Sequence, residues 1–247
     1  KLIAEGPAGE LNRTVNTQPV MLTAGIAVYR AWLALGGARP EMVAGHSLGE
    51  YSALVAAGAL SFSDCLPLVR LRAQAMQDAV PEGTGAMAAI LGLDDDAVAA
   101  ACAEAAQGEV VEPVNFNAPA QVVIAGHASA VKRGMQAAKN RGAKRVVPLP
   151  VSAPFHSSLM GPAAMRLKHA LADVQIQCPA IQVVHNLDAA THVQAEQIRE
   201  ALVGQADHPV RWTQCVKAMA AAGITHVFEC GPGKVLAPLS KRICAEL

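Results

Sequence analysis

An α/β protein is what this sequence predicts: a mostly parallel sheet covered by helices, interrupted by a small β-α-β-β-α-β unit. Three observations lead there. Strand-like and helix-like runs alternate through most of the 247 residues, the pattern of parallel strands joined by helical crossovers. A short apolar run, Met42-Val43-Ala44, meets Gly45-His46-Ser47-Leu48-Gly49 and then the helix-forming residues 50–57. Pro81-Glu82-Gly83-Thr84-Gly85 then breaks the chain, and the order of elements changes after it.

The elements follow in order. Lys1-Leu2-Ile3-Ala4-Glu5 begins without Met and leads into a polar stretch, read as irregular, ending near Thr17; an upstream segment is expected to be missing. Residues 19–35 predict a helix with Pro19 in its first turn and Gly36-Gly37 as its stop. The strand–turn–helix around Ser47 comes next. Residues 61–80 predict a helix capped by Ser63, with Pro67 near its first turn. Beyond Gly85 the reading is strand 86–92, helix 94–107, strands 110–114 and 121–125, helix 129–141 and strand 144–149. That order is ferredoxin-like. Residues 83–151 are therefore assigned to an inserted small subdomain, and 1–82 with 152–247 to a large one. The large part resumes with helix 163–172, strand 181–184, helices 195–203 and 213–222, strand 225–229 and a final helix.

Composition excludes several classes of function. Hydrophobic residues make up 52% but aromatics only 3%, so Ala, Val and Leu fill the core. Twenty Lys+Arg balance twenty Asp+Glu, which leaves no net charge to attract nucleic acid or a membrane surface. No apolar run approaches the roughly 18 residues that span a bilayer. The six cysteines lack C-x-x-C or metal spacing, which fits thiols in a reducing cytoplasm and predicts no metal.

Gly45-His46-Ser47-Leu48-Gly49 has the form of a nucleophile elbow, in which a tight strand-to-helix turn exposes a serine and flanking glycines allow close backbone approach. The helix behind it aims N–H groups where an oxyanion would form. An α/β-hydrolase-like core is the fold in which such an elbow sits. A serine nucleophile needs a base, and eight histidines compete. His156, in Pro154-Phe155-His156-Ser157-Ser158, returns from the inserted unit to the main sheet, where a cleft forms. His46 adjoins the serine and lines its pocket, while His169, His192 and His226 read as surface or capping residues. Arg70 and Arg72 lie in an apolar helix; a solvated arginine is the ordinary case, but one facing the cleft would grip a carboxylate by two parallel hydrogen bonds. Gly231-Pro232-Gly233-Lys234 lacks phosphate-loop spacing and reads as a turn. Asn115, Asn117 and Gln121 around Pro119 fit either a polar ligand or a turn.

Several stretches together resemble one family. They are residues 45–51, residues 76–87 with their Pro-Glu-Gly-Thr-Gly, Val114-Asn115-Phe116-Asn117-Ala118-Pro119, Pro148-Leu149-Pro150-Val151-Ser152 leading to His156, and residues 229–236. In that order they resemble the malonyl-CoA:acyl carrier protein transacylase family and the related acyltransferase domains of polyketide synthases. The resemblance implies Ser47 as the acylated nucleophile, His156 as its base and Arg72 as the grip on the malonyl carboxylate. It implies that the Gln205 backbone carbonyl orients the histidine, that Leu48 supplies an oxyanion N–H, and that Gln18, His46 and Asn117 line the substrate pocket. Phe155 would disfavour a branched acyl group. Malonyl-CoA is then the substrate, acyl carrier protein the partner, no cofactor is needed, and a cytoplasmic monomer is expected. Lys144, Arg145, Arg211 and Lys217 are candidates for docking an acidic carrier. The family's glutamine-bearing first loop, a second oxyanion donor, has no counterpart here. A serine esterase or thioesterase shares the elbow but predicts a carboxylate for the histidine, with Asp94, Asp95 and Asp96 in the right chain position. A non-catalytic binding module is a third reading.

Overall fold

The computed structural model describes residues 2–151 and 153–247; Lys1 and Ser152, the last residue of the Pro148-to-Ser152 stretch, lie outside the described residues. The chain is α/β with separate parallel and antiparallel sheets. Two short helices, α1 (Leu2–Glu5) and α2 (Ala8–Leu11), precede the long α3 (Thr14–Ala34). The first strand β1 (Met42–Ala44) passes through the elbow into α4 (Gly49–Ala56), followed by α5 (Phe62–Asp78). Then come β2 (Gly85–Leu91), α6 (Asp95–Ala106), β3 (Val111–Ala118), β4 (Gln121–His127), α7 (Ala128–Asn140) and β5 (Arg145–Pro148). The chain closes with α8 (Gly161–Ala172), β6 (Gln182–Val184), α9 (Ala195–Asp207), α10 (Trp212–Ala221) and α11 (Leu236–Ile243).

β1 and β6 pair in parallel, Val43 against Val183. Leu54 of α4, Val69 of α5, Leu167 of α8 and Leu202 of α9 are buried around them in one core. These small aliphatic side chains do what so few aromatics cannot, and the core is correspondingly sensitive to deletion. Leu54→Ala is expected to lower the unfolding free energy by about 2–5 kcal/mol, measured by urea denaturation, since Leu54 is fully buried. The second sheet is antiparallel in the order β3-β4-β2-β5, with α6 and α7 packed on it through Val98, Cys102, Ala130 and Val131. Among the described residues no helix is long and apolar enough to cross a membrane.

The sequence reading needs six corrections, one of them that Pro67 lies inside α5 beyond its first turn. The stretch before Thr17 is not irregular: it holds α1, α2 and the start of α3. Pro19 is therefore interior to α3, where it removes one hydrogen bond; the turn ahead of it is kept because Gln18 is buried against Met76 and Arg72. Ser61, not Ser63, caps α5, because Ser61 has the extended backbone a cap requires and its Oγ accepts the Asp64 N–H at 3.0 Å. Residues 225–229 form no strand: they find no neighbouring strand to pair with among the described residues, and Phe228 is left 68% exposed, its ring tilted against Trp32. Without them, the parallel sheet among the described residues holds only β1 and β6, with one further parallel bridge between Asn115 and Val210, so the described sheet structure is not mostly parallel.

Candidate active site

The elbow is built by close approach and strain. A side chain at Gly45 would lie 1.9 Å from the Gly49 backbone, so the turn closes only over a glycine. Gly49 itself has open space around its Cα, so only the first of the two glycines is required by packing. Ser47 is held at φ 51°, a left-handed conformation that a non-glycine residue adopts only when its surroundings impose it. The restraint comes from the end of β6: Asn186 Oδ1 accepts the Ser47 N–H at 2.7 Å, and its Nδ2 donates to the Gly45 carbonyl at 2.9 Å.

Ser47 Oγ lies 2.7 Å from His156 Nε2. The other ring nitrogen, Nδ1, lies 2.7 Å from the Gln205 backbone carbonyl, which can only accept. Nδ1 therefore carries the proton of the neutral ring, and Nε2 is the free base facing the serine hydroxyl. His156 is 4% exposed. Burial, and then the nearby Arg72 charge, push its pKa down from 6.5 to about 3. The base form thus persists well below neutrality. A second consequence concerns stability: between those two values the unfolded chain takes up a proton that the folded chain refuses, so folding stability falls as pH drops below 6.5.

Arg72 is 1% exposed, whereas Arg70 on the same helix is exposed. Its Nη1 donates to Gln18 Oε1 at 2.6 Å, and its Nη2 donates to Gln205 Oε1 at 2.9 Å and to Ser47 Oγ at 3.1 Å. Its Nε–H is buried without a partner, and it enters no salt bridge among the described residues. The guanidinium instead sits over the Tyr51 ring at 5.4 Å. Burial lowers its pKa from the usual range. The Glu50 charge acts on it without a direct ion pair, and a buried cation with no carboxylate in contact among the described residues and a spare donor is chemically unfinished.

A cleft of about 870 Å³ runs past these groups, lined by Gln18, His46, Ser47, Leu48, Arg72, Asn117, Phe155 and His156 among others. His46 Nε2–H donates to Asn117 Oδ1 at 2.8 Å, tying the elbow to β3; burial lowers the His46 pKa. The Leu48 N–H, at the start of α4, is not engaged by any carbonyl among the described residues. Gln205 is fully buried behind the cleft wall rather than lining it. Of the other candidates, Asn115 also borders the cleft, while Gln121 is taken by Arg242. His169 and His226 are exposed and His192 binds Asp188. Asp94 caps α6 through the Ala97 N–H, so the carboxylate a hydrolase triad needs is not at His156, whose Nδ1 faces a carbonyl. The Gly-Pro-Gly-Lys turn leads into α11, whose first N–H groups are taken by Glu229.

Three groups went unanticipated: Glu50, His185 and Asn186, all fully buried beside the elbow. A signal for two of them existed. His185 and Asn186 directly follow β6, the parallel neighbour of β1, and the carboxyl ends of adjacent parallel strands are where α/β proteins gather their ligand-binding groups.

Comparison with known proteins shows the family. The acyl transferase domain model matches residues 1–238. The malonyl CoA-acyl carrier protein transacylase of Escherichia coli K12 is 57% identical over 242 residues, covering 98% of this chain and 78% of that protein. Its Bacillus subtilis counterpart is 46% identical, covering 98% of this chain and 76% of the relative. Among solved structures, an acyl-carrier-protein S-malonyltransferase from Burkholderia pseudomallei superposes with a TM-score of 0.98 at 64% identity, covering 100% of this chain and 80% of the other. A malonyl-transacylase in complex with a type II polyketide acyl carrier protein gives 0.98 at 50% identity, over 100% of this chain and 80% of that one. The chain belongs to the acyl transferase domain family, among the malonyl-CoA:acyl carrier protein transacylases.

Proposed function

We infer that this protein moves a malonyl group from malonyl-CoA to the thiol of acyl carrier protein, with Ser47 as the carrier atom's residue and His156 as the base. The reaction is an acyltransfer that supplies fatty acid synthesis; a polyketide pathway uses the same chemistry. One observation supports the malonyl reading above all others: Arg72, buried and without a carboxylate, holds its Nη2 3.1 Å from Ser47 Oγ. In malonyl a single methylene separates the thioester carbonyl from the carboxylate, so an acyl group on Ser47 brings its own carboxylate to that guanidinium.

In the first half-reaction His156 Nε2 takes the Ser47 proton and Oγ attacks the thioester carbonyl. The new oxyanion meets the Leu48 N–H at the N-terminus of α4. The C–S bond breaks, the proton passes to the departing sulfur, and coenzyme A leaves. The second half reverses these steps with the carrier thiol as nucleophile. The acid–base work needs no cofactor. Phe155, on the cleft wall beside the base, narrows the space for an α-branch. We read residues 83–151 as a ferredoxin-like subdomain inserted into an α/β-hydrolase-like core made of 1–82 and 152–247, the cleft lying at their junction. Lys144, Arg145, Arg211 and Lys217 are exposed and available to an acidic carrier. The six unpaired cysteines suit a cytoplasmic setting.

Intact-mass measurement after mixing with malonyl-CoA tests the reading: a malonyl adduct on Ser47 that is discharged by holo acyl carrier protein is expected. Free malonate without an adduct would mark a hydrolase, and no reaction at all an inert binding module. The pH dependence offers a further check. Single-turnover acylation of Ser47 is expected to stay within about twofold from pH 8 to pH 5, because His156 remains unprotonated there. An inflection near 6.5 would show that the histidine titrates as if exposed.

A further inference from the structure

One buried carboxylate beneath the nucleophile has no part in the mechanism above. Glu50 stands in the first turn of α4, is fully buried, and pairs with no Lys or Arg among the described residues. Its Oε1 accepts His185 Nδ1 at 2.7 Å. Its Oε2 accepts the Asn186 N–H at 2.9 Å and Gln205 Nε2 at 2.7 Å. Burying a carboxylate is costly unless donors surround it, and here three converge from two separate segments of chain.

The effect falls on Gln205. An amide has a donor end and an acceptor end of nearly the same shape, so its direction is set only by what it faces. Glu50 Oε2 and the Ser47 carbonyl, 2.9 Å away, both accept and so claim the NH₂ end. Oε1 is thereby turned to Arg72 Nη2 at 2.9 Å. Reversed, the amide would set N–H against N–H at the guanidinium. The same residue's backbone carbonyl holds His156 Nδ1, so base and guanidinium are joined through one residue whose side-chain direction is set by Glu50 together with the Ser47 carbonyl.

We propose that Glu50 is a positioning residue for substrate choice: by fixing the direction of the Gln205 amide it aims the Arg72 guanidinium at the carboxylate of the acyl group on Ser47. The proposal rests on the malonyl-transfer reading and adds to it a residue that touches no substrate.

The test compares Ser47 acylation rates with malonyl-CoA and acetyl-CoA. Glu50→Asp keeps the charge but withdraws the carboxylate from Gln205. The malonyl-to-acetyl ratio is expected to fall about tenfold, the size of one lost hydrogen bond to a charged group, with the acetyl rate within about threefold of native. In an Arg72→Ala background the same change should leave the ratio untouched, because the two residues act in series. Gln205→Met keeps the backbone carbonyl for His156 and cuts the side-chain link; it should reproduce the loss of ratio, and it reads the proposal alone if Glu50→Asp does not fold. An unchanged ratio in either variant, or equal losses with both substrates, would overturn the role of Glu50. Absence of a malonyl adduct on the native protein would instead sink the transfer reading and this inference together.

Discussion

Ser47→Ala is expected to leave no malonyl adduct, and His156→Ala to slow acylation by about 10²–10⁴-fold, the range a positioned general base contributes. Both expectations follow from the proton inventory of the dyad. The Gln205 carbonyl accepts a hydrogen bond from Nδ1–H and so keeps the proton on that nitrogen; Nε2 is then the only basic nitrogen, and it already sits 2.7 Å from the Ser47 hydroxyl. Without the imidazole, Ser47 Oγ still receives a hydrogen bond from Arg72, which keeps the hydroxyl in place but removes nothing from it. The two variants should therefore separate. Ser47→Ala is dead because the bond-forming atom is gone, whereas His156→Ala retains slow acylation that rises with hydroxide at alkaline pH. Rapid-quench mass spectrometry across pH distinguishes them. If His156→Ala acylates at the native rate, the base lies elsewhere.

Arg72→Ala should lower malonyl transfer by about 10²–10⁴-fold while changing acetyl transfer far less. A buried charge left without its partner costs about 3–5 kcal/mol, and 1.36 kcal/mol corresponds to a factor of ten. In this protein the cation is present before the ligand: Arg72 is held by the neutral groups Gln18 and Gln205 and by the Tyr51 face. In the proposed reading malonyl brings a carboxylate to this cation, whereas acetyl has none to bring. Equal losses with both acyl groups, measured as kcat/KM, would remove the carboxylate grip and leave Arg72 as a helper of the Ser47 oxygen only.

Much of this arrangement could be read along the chain because it is local. The elbow needs an apolar strand, a glycine where two backbone segments touch, and a helix start, all within one short stretch. The antiparallel unit could be read because its elements alternate cleanly and Asp94 caps α6. The burial of Arg72 is legible in the pattern of its helix. Cys65, Leu68, Val69, Arg72, Ala73 and Met76 are all buried, at the spacing of one helical stripe, so the arginine occupies a core position of α5. Arg70 falls off that stripe.

What local pattern could not supply was pairing. Residues 225–229 have strand-like composition, but a strand exists only when a neighbour completes its hydrogen bonds, and no periodicity reveals that neighbour. Glu50 stands in the first turn of a helix, a place where carboxylates are common for electrostatic reasons, so its position alone marks nothing unusual. Its burial comes from β6 and α9 closing over it, segments more than a hundred residues away in sequence.

The sequence by itself determined the α/β class, the turn around Ser47 and the helix behind it, since each depends on residues adjacent in the chain; it offered Ser47 as the candidate nucleophile, and His156 as the candidate base chiefly through the family resemblance. Only the tertiary structure decided that the Nε2 of His156 is the free nitrogen, that Arg72 has no carboxylate in contact among the described residues, and that Gln205 joins the two with Glu50 beneath. The reason is physical: protonation state and unpaired charge are properties of an enclosed volume, and that volume is assembled from α3, α5, β6 and α9 only when the chain has folded.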